Sequence, residues 1–199
     1  PIYRLGLNYS ETITVSTEPV STYCDDALGV LDAVALARLV RTGELKATEL
    51  TEAAIARARQ ANPIINGIVT ETYDRAMEQA GQNRRGPFAG VPSVIKDTDP
   101  LAGAPTMMGS RAFPRTVATK SSRFVEHFCK LGFISLGKSN LCEFGLTATT
   151  EPLLSGPARN PWSPEHSTGG SSGGSAAWVA AGVVPIAHAN EGGRAIRIP

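Results

Sequence analysis

The 199-residue chain is 42% hydrophobic and 19% charged with a formal net charge of +1, an ordinary globular composition with enough apolar material for one sizeable core. It carries no basic tail or block of like charges, so charge gives no case for nucleic acid or an anionic membrane surface, and no run approaches the ~18 apolar residues of a membrane span. Cys24, Cys129 and Cys142 are too widely and irregularly spaced for a disulfide framework or a CxxC metal site; with no signal pattern in PIYRLGLNYSETITVS, a reducing, cytoplasmic setting is expected.

Residues 1–30 are polar and aperiodic and read as an arm or loop. The pattern predicts a helix over 31–42, started at Asp32 and stopped by Gly43. A second is predicted over 48–61, with Thr48 as N-cap, Glu49 and Glu52 in the first turn, and Pro63 as terminator. Residues 64–70 are β-like, and 73–80 helical. A Pro/Gly-rich stretch, 86–92, leads into the apolar SVIKD. Loop is expected over 101–118, helix over 121–131 with Phe124, Val125, Phe128 and Leu131 on one face, and strand over 133–136. Residues 145–173 form a long Gly/Ser/Thr/Pro-rich stretch, functional or disordered by its length. An alanine-rich buried helix over 174–182 and a buried strand over 183–187 follow. Alternating helices and strands without repeat or linker argue one α/β domain.

Three motifs stand out. In Gly169-Gly170-Ser171-Ser172-Gly173-Gly174-Ser175, glycines allow close approach while serines are offered at a loop-to-helix junction. A flexible linker is the competing reading, although linkers are seldom spliced into a core helix. Lys96, in the Lys-Asp pair that closes the run Val94-Ile95-Lys96-Asp97, reads most simply as the solvated end of a buried strand. Desolvated instead, it would have a lowered pKa and serve as a base. The turn Asn190-Glu191-Gly192-Gly193 is either a tight connection or a set of backbone N–H groups converging on an anion. A fourth segment, Gly132 to Ser139, satisfies the P-loop expression GxxxxGK[ST], but helical sequence precedes it and Phe-Ile-Ser-Leu inside it looks like a strand. No nucleotide site is expected there. His127, His166 and His188 lack ligand spacing, so no metal or other cofactor is expected.

Together, GPFAGVPSVIKD, AGAPTMMGSRAF, LGKSNLCEFG, GPARNPWSP, STGGSSGGSAAWVAAGVVPIAHANEGG and IRIP resemble segments of the amidase signature family, in family order, from Gly86 onward. LVRTGELKATEL resembles the start of the family fold, and HANEGG is similar to the branch with lactam- and urethane-cleaving members. The resemblance implies a central mixed sheet flanked by helices. It implies hydrolysis of an amide, lactam or carbamate, a small-molecule substrate, no nucleic-acid or membrane partner, and a homodimer as one form of assembly. It gives Lys96 the role of neutral base and Ser171 that of a bridging serine after a cis peptide bond. Gly192, Gly193, Arg194 and the residue at 195 would supply oxyanion-hole N–H groups, with Ser172 and Glu191 behind them.

The sequence departs from the family pattern at two of these positions. The family's nucleophilic serine directly precedes Ile-Arg, and here that residue is Ala195. Arg194 stands where the family has glycine. The family fold also continues beyond the point matched by Pro199, so residues 1–199 are expected to be the N-terminal part of one domain. The resemblance therefore implies an amide hydrolase that is inactive as written, with a binding-only relative as the alternative.

Overall fold

The computed structural model describes residues 18–113, 116–193 and 195–199. Residues 18–30 contain no helix or strand, as expected, and the rest of the predicted N-terminal arm lies outside the described residues. Helix α1 (Ala33–Thr42) begins where the Asp32 carboxylate accepts the Ala35 N–H at 2.8 Å and ends at Gly43, whose left-handed φ of 79° lets its N–H reach back to the last turn.

Helix α2 (Ala47–Ile65) is longer than predicted. Its N-cap is Lys46 rather than Thr48, with the Lys46 N–H donated to the Glu49 carboxylate at 2.8 Å. Pro63 lies inside the helix and does not end it. An interior proline keeps a helical φ but forfeits one N–H bond and crowds the carbonyl four residues back. Tertiary contacts carry the chain onward: Ile65 is fully buried, and the Asn62 side chain accepts the Ile68 N–H at 2.9 Å. Residues 64 and 65 are thus helical, and the β-like segment shrinks to β1 (Ile68–Glu71).

Strand β3 (Ile134–Ser139) is the centre of a mixed three-stranded sheet, antiparallel to β1 and parallel to β2 (Pro92–Lys96). Every residue of β2 and β3 is buried. Successive side chains of a strand face opposite ways. Val94 accordingly joins a core with α1, α2, α3 (Tyr73–Ala80) and α5 (Gly173–Ala180), whereas Ile95 joins a smaller cluster with Leu101, Ala104 and Val125 of α4 (Arg123–Lys130). Covering on both faces is why burial does not alternate along either strand.

Three expectations need correction. Of the predicted α4 face only Val125 is buried; Phe124 and Leu131 are exposed, Phe124 resting its ring against His188 at 4.4 Å. Residues 183–187 form no strand. They run beside β2, but Pro185 has no N–H to give, and the segment is held by Ser93 Oγ donating to the Ile186 carbonyl and by the His188 N–H donating to Val94, both at 2.9 Å. The stretch 145–173 is partly regular, with a hairpin of β4 (Arg159–Asn160) and β5 (Ser163–Ser167). The P-loop lookalike is β3 itself, and its Lys138 is buried against Asp97, with Nζ 2.6 Å from Oδ1.

Candidate active site

Strand β2 delivers Lys96 to the interior at its C-terminal end, so the lysine is fully buried rather than solvated. The entry into α5 brings Ser171 to it. Here the Gly-Ser run is a close-packed junction and not a linker. A methyl group at position 174 would collide with the Gly67 carbonyl and the Asn140 backbone, so only glycine lets α5 sit this near the sheet. Behind it, Ser175 Oγ lies 2.7 Å from Ser139 Oγ and donates to the His188 carbonyl at 2.7 Å, tying α5 to β3 and to the segment after it.

Lys96 Nζ lies 2.8 Å from Ser171 Oγ and 2.6 Å from Asn190 Oδ1. The Gly170–Ser171 peptide bond is cis, as the resemblance implied. Burial pushes the lysine pKa down to about 8; Cys142, Asp99 and Glu191 act in the opposite sense but are outweighed. His188 is also nearby. Its Nδ1 accepts the Lys96 backbone N–H at 3.2 Å, and burial pushes its pKa down to about 4. It is therefore neutral at pH 7, and its 4.0 Å approach to Asp99 is no ion pair there.

Ser171 opens onto a cavity of about 610 Å³ that it shares with Gly170, Asn190, Glu191, Gly192, Gly193 and Ala195, faced by Phe144, Gly145 and Leu146. Ala195 is buried, with only a methyl group to present. Gly192 and Gly193 are exposed and unobstructed. Arg194 lies outside the described residues. Glu191 braces the turn, accepting the Ile196 N–H at 3.0 Å and lying 3.3 Å from the Arg197 guanidinium. These contacts overcome partial desolvation and hold its carboxyl below the usual range. Ser172 precedes α5, its hydroxyl 3.5 Å from the Asn190 carbonyl.

The structure thus gathers Ser171, Ala195 and the glycine turn around one space, with Lys96 behind Ser171 in contact with its hydroxyl. Sequence reasoning missed the Asn190 side chain, whose Oδ1 accepts from the lysine amine, and Thr98, whose hydroxyl oxygen accepts from Asn190 Nδ2. Asn190 lies within a recognised segment, but nothing in one sequence reports which way a carboxamide points.

The fold is thus a mixed α/β architecture that sets a buried lysine against a serine at the entry to a helix. The chain belongs to the amidase family, whose model, described as Amidase, matches residues 49–199. AmiC, an amidase-family protein of Mycobacterium leprae, is 46% identical over 180 residues, covering 90% of this chain and 38% of AmiC. The 6-aminohexanoate-cyclic-dimer hydrolase of Paenarthrobacter ureafaciens is 40% identical over 171 residues, covering 84% of this chain and 34% of that enzyme. A solved structure of 6-aminohexanoate cyclic dimer hydrolase superposes with a TM-score of 0.77 at 40% identity, over 83% of this chain and 34% of the other. A bacterial aryl acylamidase of the amidase signature family gives 0.76 at 32% identity, over 84% and 37%. The chain therefore spans little more than a third of the length of these relatives, 38% in the case of AmiC.

Proposed function

We propose that the protein carries the amide-cleaving machinery of its family, with Lys96 as base, Ser171 as proton bridge and position 195 as the place of the nucleophile. The observation that carries this reading is the buried contact of 2.8 Å between Lys96 Nζ and Ser171 Oγ, beside a cavity that Ala195 also lines. An amide carbonyl is a poor electrophile, so an attacking hydroxyl must lose its proton as it adds. Ser171 would take that proton and pass its own to neutral Lys96. The tetrahedral oxyanion would rest on N–H groups of the turn formed by Gly192, Gly193, Arg194 and the residue at 195, and the reversed relay would protonate the leaving amine. With alanine at 195 the covalent step has no attacking atom, so the chain as written is inactive in this chemistry.

The substrate class is a small-molecule amide, lactam or carbamate, the last in the manner of a urethanase. The likeness to 6-aminohexanoate-cyclic-dimer hydrolase supports a cyclic amide among these. A cytoplasmic setting agrees with the free thiols of Cys24, Cys129 and Cys142. Ala195 itself favours a second reading, a protein that binds an amide without cutting it. The deciding experiment assays anilides, linear and cyclic amides and carbamates against the parent, Ala195→Ser and Ala195→Ser/Arg194→Gly. Turnover by either variant and none by the parent supports the hydrolase. Tight binding by all three proteins with no turnover supports the binding protein. Parent turnover that survives Ser171→Ala contradicts the relay.

A further inference from the structure

We propose that Asn190 is a positioning residue for Lys96: its carboxamide oxygen takes one N–H of the amine and thereby turns the nitrogen lone pair towards Ser171. The inference rests on the Lys96–Ser171 reading above and adds a residue to it. Asn190 Oδ1 lies 2.6 Å from Lys96 Nζ, nearer than the serine hydroxyl at 2.8 Å. A neutral amine has two N–H bonds and one lone pair in a tetrahedral arrangement. An acceptor at one of these three positions excludes the lone pair from it and leaves two, one of them facing Ser171.

The orientation of the carboxamide is set by a chain of donors. Ser122 Oγ donates to Asp99 Oδ1 at 3.0 Å, and Thr98 Oγ1 donates to Asp99 Oδ2 at 3.1 Å. A carboxylate can only accept, so the threonine proton is committed to it. The Thr98 oxygen must then accept, and Asn190 Nδ2 donates to it at 3.0 Å. That leaves the amide oxygen for the lysine. A flipped amide would set an NH₂ group against the amine and lose both bonds.

A neutral acceptor also suits a base. A carboxylate at this position would hold the lysine charged, whereas an amide orients it without adding charge. The surroundings already include groups that favour the charged form, among them Asp99 and Glu191. The remaining ionisable neighbours are committed elsewhere. His188 accepts the Lys96 backbone N–H, and Asp97 is paired with Lys138.

The test titrates the Lys96 side chain by carbon-13 NMR of the labelled lysine Cε in the full chain, assigned through Lys96→Met. Asn190→Asp is expected to raise the Lys96 midpoint by about one to three pH units. In the Ala195→Ser background the same change should move the alkaline rise of kcat upward with it, and Asn190→Ala should lower kcat by about a hundredfold with little change in KM. Thr98→Val, which frees the carboxamide to turn, serves if an Asn190 variant does not fold, and should lower the Lys96 midpoint. A midpoint unchanged in folded Asn190→Asp, or in Thr98→Val where that variant stands in, overturns the proposal. The titration needs no turnover, so its failure is separable from failure of the hydrolase reading. A shifted midpoint without any activity in the Ala195→Ser background would count against the hydrolase and leave the Asn190 contact standing.

Discussion

Lys96 and His188 lie side by side, and burial pushes both towards the neutral form. For Lys96 the consequence bears on its proposed role as base. A base must be neutral to accept, so kcat of the Ala195→Ser protein should climb as pH rises through about 8 and level off above it. A rate that is flat from pH 6 to 10 would mean that the lysine does not serve as the base. For His188 the consequence is stability. Its folded value of about 4 lies below the unfolded value of 6.5, so between these limits the unfolded chain binds the proton and the folded one does not. Stability therefore falls as pH drops from 6.5 to 4, by at most on the order of 3 kcal/mol from this group. His188→Gln should flatten that part of the curve in urea unfolding measured at successive pH values. An unaltered slope would show that His188 is not held neutral.

Among the elements, α5 and β3 fix the site. The first turn of α5 packs on the Gly67 carbonyl and on Asn140 just beyond β3, and it carries Ser171 on the peptide that precedes it. Gly174→Ala should cost stability by roughly 2 kcal/mol or more, because backbone rather than a mobile side chain stands in the way. In the Ala195→Ser background it should reduce kcat as well, by displacing Ser171 from Lys96. A variant with parental melting temperature would show that the junction has slack. Strand β3 contributes Lys138, whose Nζ is shared among Asp97, the Pro105 carbonyl and Thr106 Oγ1. Burial pushes the Asp97 carboxyl up and the Lys138 amine down, while each partner pulls the other back. Removing one partner strands a buried charge, so Lys138→Met should destabilise by about 3–5 kcal/mol, and Lys138→Met with Asp97→Asn by less. Denaturant midpoints of the two single variants and the double variant measure this directly. Equal losses in single and double variants would contradict the coupling.

At the scale of the whole molecule, the mixed sheet and the family were legible because several segments resembling the family recur in order from Gly86 onward. Lys96 was the instructive case. Its local pattern favoured a solvated strand end, and only its place among the family segments pointed inward, where the structure has it. What was not legible depended on distant contacts. Pro63 is carried through α2 by packing around Ile65 and Asn62, residues 183–187 run beside β2 without a strand's ladder, and the Asn190 carboxamide is oriented by a chain of donors that begins at Ser122. Among the described residues no helix is long and apolar enough to cross a membrane.

The account stands most directly on one rate comparison. Hydrolysis of an anilide is followed for Ala195→Ser and for Ala195→Ser/Lys96→Met, with both shown to be folded by circular dichroism. The account predicts turnover by the first and a loss of at least about a hundredfold in kcat by the second, since the methionine keeps the bulk of the chain but cannot take the proton from Ser171. Equal turnover by the two proteins would contradict the assignment of Lys96 and Ser171 as the relay that serves position 195.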